Sequence, residues 1–382
     1  MRNSGLMRNA RRRKSAPMIS TEPLEQRALL TASINGNSLV VAGTAEADTI
    51  VVTRSNGRFF VQENGEETVL STSNVFNVRI DGRGGRDTID VSDLGLIVRI
   101  DGGAGADFIR GGNGRNDLRG GGGDDTIFGG PSGDVLTGGG GDDFIRGRGG
   151  RDELSGGNGA DTLEGSGGDD RIRGGSGDDV LRGNIDDDTL IGNGGDDVLI
   201  GADGDDDLRG GDGNDSILGQ SGRDTLVGDR GGDTLVGADG NDLLLGEGGR
   251  DEISGGSGRD ILIGGGGQDS LMGGDGDDIL AAGTRLLTVS ELDLVAAEWE
   301  SANDYDQRVA NLRNGSGANN DRLNDREFLA GRERNTQTTV FNDFGQIDVL
   351  MGEAGQDWFF LARGFGDDDV DDRVFGERFE RI

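Results

Sequence analysis

GGGGDDFIRGRGGRDELSGGNGADTLEGSGGDDRIR, residues 138–173, repeats one nine-residue pattern four times. Read outward from this stretch, the pattern G-G-x-G-x-D-x-U-x, with U aliphatic, runs through twenty consecutive nonamers from Gly102 to Ala281 without an insertion or deletion. Position one is Gly in all twenty, position four is Gly in eighteen (not Ser132 or Asp186), and position six is Asp in nineteen (not Asn116). Position eight is Leu or Ile throughout, from Ile109 to Leu280. A short fixed period is the mark of a solenoid, in which each unit is too small to bury its own apolar face and stacking supplies the core. Side chains alternate along a strand, so each x-U-x triplet sends one aliphatic side chain inward and two residues outward. Glycines at positions one and four are expected to supply left-handed or otherwise strained backbone in the turn.

The nonamer resembles the repeat of the RTX (repeats-in-toxin) hemolysin-type calcium-binding family over nearly half the chain. The resemblance implies an all-β fold, a right-handed parallel β-roll loaded with calcium, in which each nonamer makes a six-residue turn and a three-residue strand and two nonamers make one coil.

Electrostatics leads to the same cation. Stacked strands lie about 4.8 Å apart, so equivalent aspartates form columns of like charge. Each neighbouring pair then costs about 0.9 kcal/mol in water and about 3.5 kcal/mol at an effective dielectric of 20. The empty stack is not expected to form. A divalent ion between turns reverses the sign, and carboxylates with main-chain carbonyls are the oxygen ligands calcium takes in sixes to eights, whereas magnesium demands stricter octahedral geometry. The candidate ligands are the position-six aspartates Asp107, Asp125, Asp134, Asp143, Asp152, Asp161, Asp170, Asp179, Asp188, Asp197, Asp206, Asp215, Asp224, Asp233, Asp242, Asp251, Asp260, Asp269 and Asp278, together with Asp87 of an earlier unit, Gly82–Asp90. Two columns with one ion between neighbours hold roughly eighteen Ca2+ ions at most. Two units look weak: Asn116 offers a neutral oxygen, with Asp117 beside it, and GNIDDDTLI (183–191) places Ile185 and Asp186 where turn residues are usual.

Composition narrows the function further. The 382 residues are 32% hydrophobic and 4% aromatic, with 77 Gly and only 3 Pro, which excludes collagen and is thin material for large compact cores. Seventy-two acidic against 38 basic residues give a net charge of −34, which repels nucleic acid and anionic lipid alike. Cys and His are absent, so thiolate, imidazole and zinc chemistry are excluded. No run of 18 apolar residues is present to span a membrane.

Five regions follow. Residues 1–32 form a basic, disordered targeting segment, in which Leu24–Ala32 (LEQRALLTA) resembles the LEPRxLLS-type sorting segment of exported planctomycete proteins, with Gln26 and Thr31 as departures. Residues 33–101 form a small β-rich leader with hairpin turns at Ser55-Asn56-Gly57 and Asn64-Gly65. The β-roll occupies 102–284. Residues 285–340 read as a helical segment and loop, the stripe Leu292, Val295, Ala296, Trp299 predicting an amphipathic helix within Thr288–Asn314 and the polar stretch Ser316–Asn335 a loop. Residues 341–382 form a C-terminal cap with two divergent nonamers, Asp343–Met351 and Gly352–Phe360, and an acidic tail.

The expected function is calcium-dependent folding of an exported, extracellular or cell-surface protein of structural or matrix type, not an enzyme. The alternative is a calcium-dependent adhesive module for an extracellular carbohydrate or protein, and a polysaccharide-modifying enzyme is a remote third. Outward positions seven and nine read as scattered Arg, Thr, Ser and Glu, without a flat threonine array or an aromatic row.

Overall fold

The computed structural model describes residues 31–71 and 74–282 together with four later strands, Leu329–Glu333, Gln337–Asp343, Gln346–Gly352 and Asp357–Leu361. The sorting motif Leu24–Ala32 lies outside the described residues except for Thr31 and Ala32, which begin the strand Thr31–Asn35 rather than a disordered segment; the amphipathic segment Thr288–Asn314 lies outside them.

The chain is a parallel β-solenoid of two 16-stranded sheets, with successive nonamers alternating between them. Each strand pairs in parallel with the one 18 residues on, as in Leu118↔Leu136, Leu136↔Leu154 and Leu154↔Ile172 in one sheet and Ile109↔Ile127 and Ile127↔Ile145 in the other. Position-eight side chains from the two sheets meet in the interior, where Ile109, Leu118, Ile127 and their successors to Leu235 are fully or almost fully inaccessible. Many strands are longer than the triplet expected, as in Glu153–Asn158, because pairing resumes past the position-one glycine at Gly139↔Gly157.

The β-rich leader runs straight into this stack. In one sheet Leu39 and Val41 pair with Val78 and Ile80, these with Val98 and Ile100, and these with Asn116 and Leu118. In the other, Ile50 pairs with Ile89 and Ile89 with Ile109. The expected hairpins are present. Thr49–Ser55, Arg58–Glu63 and Glu66–Ser71 pair antiparallel around Asn56-Gly57 and Asn64-Gly65, all four turn residues having φ between 51° and 88°, which matches the right-handed twist of the strands they join.

At the other end the divergent nonamers rejoin the stack, Leu350 pairing with Leu271 and Phe359 with Leu280. The stretch read as a loop contains the strand Leu329–Glu333, which pairs antiparallel with Asp357–Leu361. An open sheet edge, rather than a β-rich sequence, dictates strand there. Both ends of both sheets therefore finish on antiparallel strands.

The outer surface departs from the sequence reading in two places. Phe108, Phe128 and Phe144 form a row after all, with ring centroids 5.7 and 5.9 Å apart. They sit at positions seven, nine and seven of alternate nonamers, and alternate nonamers share a sheet. Arg110, Arg148 and Arg146 lie over the three rings in turn at 5.2–5.8 Å. Farther along the other sheet, the outward residues Leu245, Ile261, Ile263 and Ile279 are at most 8% exposed, so that end of its outer face is covered.

Candidate metal centre

Every position-six aspartate predicted from sequence, Asp87 included, is buried at 0–3% exposure. They form two ladders, one on each side of the roll. In both, the Oδ1 atom of each aspartate accepts a hydrogen bond from the backbone N–H of the ladder residue one coil earlier. Examples are Asp107 N to Asp125 Oδ1 at 2.7 Å, Asp125 N to Asp143 Oδ1 at 2.8 Å and Asp188 N to Asp206 Oδ1 at 2.8 Å. The aspartate carbonyl is spent as well, accepting from the residue 19 positions on, as in Thr126 N to Asp107 O at 2.8 Å. Backbone and Oδ1 are thus satisfied within the protein. Oδ2 is not: in Asp87, Asp107, Asp125 and each ladder aspartate from Asp143 to Asp260 it is buried with no hydrogen-bond partner. A buried carboxylate oxygen left in that state costs more than the hydrogen bond it lacks, so a repeated orphan marks a place for a ligand.

The glycine at position one shapes that place. A Cβ on Gly102 would stand 2.5 Å from Asp107 Oδ2 and 2.6 Å from the carbonyl oxygen of Gly120 in the next coil. The same pair recurs at Gly255, where a Cβ would meet Asp260 Oδ2 and, at 2.5 Å, Gly273 O. Position one therefore needs glycine for space. Its φ is not positive, which corrects the conformational role expected of it; positive φ falls at positions two and four, as at Gly121 (120°) and Gly123 (113°). The result is a cradle lined by a carboxylate oxygen and main-chain carbonyls, which suits a hard cation such as calcium. Among the described residues no three acidic or other ligating side chains converge on one point, so each step offers its carboxylate together with carbonyls.

The carboxyl groups respond to this setting as acids without a counter-ion. Burial, ahead of repulsion from neighbouring aspartates, pushes Asp152, Asp188 and Asp260 up to about 8 and Asp143, Asp179, Asp206, Asp224 and Asp233 to about 7. Asp125, Asp170, Asp197, Asp215 and Asp242 rise to about 6 for the same first reason. Desolvation is the larger obstacle to the empty roll, and like-charge stacking, the obstacle expected from sequence, is the smaller.

The two weak units behave differently. At 183–191 the register holds: Asp188 keeps both ladder bonds, while Asn184 (φ 90°) and Asp186 (φ 76°) carry the strained turn and Ile185 is left exposed. At 111–119 Asp117 does not stand in for a ladder carboxylate, because it lies on the outer face against Arg99, with Arg99 Nε 2.8 Å from Asp117 Oδ2.

Sequence reasoning missed two features. Asp48 begins one ladder, its N–H donating to Asp87 Oδ1 at 2.7 Å. Its unit GTAEADTIV (43–51) keeps Gly, Asp and Ile at positions one, six and eight, which was the available signal. A second, exposed rail runs through position five in the opposite sense, the later coil donating to the earlier: Asp142 N to Asp124 Oδ1 at 3.0 Å, Asp196 N to Asp178 Oδ1 at 2.8 Å and Asn214 N to Asp196 Oδ1 at 2.7 Å.

Comparison with known families agrees with the geometry: the RTX calcium-binding nonapeptide repeat matches in overlapping segments from 99–127 to 254–284. The roll is built of RTX calcium-binding repeats. The chain is accordingly a calcium-binding β-roll protein. No curated protein matches it. Among the described residues no helix is long and apolar enough to cross a membrane.

Proposed function

We propose that this RTX chain is an exported structural or matrix protein whose roll folds when calcium reaches the ladders, with the position-six aspartates other than Asp134, whose Oδ2 accepts from Gly130 N, as ligands through Oδ2. The orphaned, buried Oδ2 repeated coil after coil carries this reading. When bound, calcium supplies the positive charge that lets these carboxylates stay ionised out of water. Asp Oδ1 and the backbone fix the spacing, and position-one glycine keeps the cradle open. Because the ligands converge only in the folded roll, binding free energy is folding free energy. Extracellular calcium modules work at about 10⁻⁴ to 10⁻³ M, so the roll stays unfolded in calcium-poor cytosol and folds outside the cell.

No catalytic role is assigned to the carboxylates, which are spent on the stack. A second reading, a calcium-dependent adhesive module, is favoured by one observation. The Phe108, Phe128 and Phe144 row with its guanidinium groups offers flat apolar rings beside hydrogen-bond donors, a surface that suits a sugar chain. The main reading predicts that circular dichroism of the purified chain shows strong strand signal in millimolar calcium and loses most of it in excess EGTA, with magnesium restoring little. Equal strand content with and without calcium would falsify it.

A further inference from the structure

Follow one inward column of the first sheet from its start: Leu39, Val78, Val98, Asn116, Asp134, Asp152. The first four pair in register and the later ones join through the ladder bonds. The column passes from hydrocarbon to carboxylate through a single amide. Asn116 is 1% exposed, and it shares with Asp134 a bond from the N–H four residues earlier but adds an amide nitrogen that no ladder aspartate has. Its Nδ2 lies 3.0 Å from Gly112 O, 2.9 Å from Gly114 O and 2.9 Å from Asp134 Oδ1, while its Oδ1 accepts from Gly112 N at 2.9 Å.

We propose that the Asn116 amide does the work of a cation at the first step of this ladder, so that this step closes without calcium. Three oxygens, two of them turn carbonyls and one a carboxylate of the next coil, converge on one nitrogen. That is the donor set an ion collects, but at hydrogen-bond distances rather than the 2.3–2.6 Å of calcium. A neutral NH2 group meets the three with two hydrogens, one of them shared between two oxygens, and adds no charge to repel Asp134. Asp134 is correspondingly closed: Oδ1 also accepts from Asn116 N at 2.7 Å, and Oδ2 accepts from Gly130 N at 2.7 Å.

The other ladder starts in the same way with different groups. Asp48 Oδ2 accepts from Thr44 N at 2.6 Å and Thr44 Oγ1 at 3.0 Å, and Oδ1 accepts from Asn64 Nδ2 at 2.7 Å. Each ladder thus opens on a residue whose polar atoms the protein itself satisfies. The inference rests on the calcium reading and refines it to individual steps.

Asn116→Asp replaces the donor with an oxygen, leaving Gly112 O, Gly114 O, Asp134 Oδ1 and the new carboxylate facing one another. Native mass spectrometry of the full chain at saturating calcium should count one more ion in Asn116→Asp than in wild type. In chelator, hydrogen exchange of the strands Ile97–Ala104 and Asn116–Gly122 should be at least about ten-fold faster in Asn116→Asp than in wild type, and calcium should restore it. Asn116→Ala, which lacks both donor and ligand, should exchange fast with or without calcium. Equal ion counts for Asn116→Asp and wild type overturn the proposal, as does wild-type exchange of either variant in chelator. In those cases calcium binding by the wild type leaves the broader reading standing. A wild type that binds no calcium overturns both.

Discussion

The coils before Gly102 and those after it share two sheets and one axis, yet they are held together differently. The earlier ones fill most of the interior with pairs of apolar side chains, Leu39 and Val41, Ile50 and Val52, Phe59 and Val61, Val78 and Ile80, Val98 and Ile100, all at most 1% exposed, and carry buried ladder carboxylates only at Asp48 and Asp87. The later ones keep the Leu or Ile of each pair and put a carboxylate in place of the other, as Asp134-x-Leu136 shows beside Val98-x-Ile100. At about 25 cal/mol per Å² of buried apolar surface, a buried Val contributes about 1.5 kcal/mol or more, whereas a buried carboxylate without a counter-ion subtracts. One region carries its stability in its own atoms. The other depends on the solution around it.

Removing calcium should separate the two most sharply. In chelator, hydrogen exchange read by mass spectrometry should leave the strands Ser38–Ala42 and Asn77–Asp81 slow while those from Asp134 to Leu280 lose protection by several orders of magnitude, as expected of regions with different opening free energies. Uniform loss along the chain would erase the distinction.

Acid should act next, with a sign opposite to that of ordinary acid denaturation. Ladder carboxyls such as Asp152, Asp143 and Asp125 lie at about 8, 7 and 6 in the calcium-free roll against 3.8 in an unfolded chain. The roll therefore binds more protons than the unfolded chain between those values, and its calcium-free stability falls as pH rises from about 4 to about 8. Circular dichroism of calcium-stripped protein should show strand signal growing from pH 8 to pH 5. With calcium present, the same acidification should weaken ion binding, because protons compete for Oδ2.

A smaller effect comes from single methyl groups. Gly120→Ala sets a Cβ against Asp125 Oδ2, whereas Gly95→Ala, in the earlier coils, meets nothing within 4 Å. In saturating calcium the first should cost about 1–3 kcal/mol in a urea melt and the second should stay within about 0.5 kcal/mol of wild type. Equal costs would mean that the glycine serves the backbone and not the cradle.

The period of nine makes the repeat legible, because position eight and position six each fall on a single column whichever sheet a nonamer joins. The Leu and Asp columns therefore stand out in the amino-acid sequence itself. Asp48 is hidden there because Thr44, Ala45 and Glu46 replace the usual glycine pattern, and because the hairpins through Phe59 and Val69 stretch its coil to 39 residues before Asp87. The Phe108, Phe128 and Phe144 row is hidden because adjacency runs every 18 residues, so neighbours in space belong to alternate units. Asn116 reads as a weakened ligand because residue type alone does not say which end of an amide faces the turn. Here the nitrogen does.

The antiparallel closures at both ends interrupt the parallel pattern of the stack. Parallel coils of identical pitch could in principle be extended by a second molecule, each new strand taking up the hydrogen-bond pattern of the last. An antiparallel edge strand breaks the 18-residue parallel register, so an incoming coil would not meet the strand pattern it continues. The stack grows about 4.8 Å for each 18-residue coil, so its length along the axis follows the number of nonapeptides that join it.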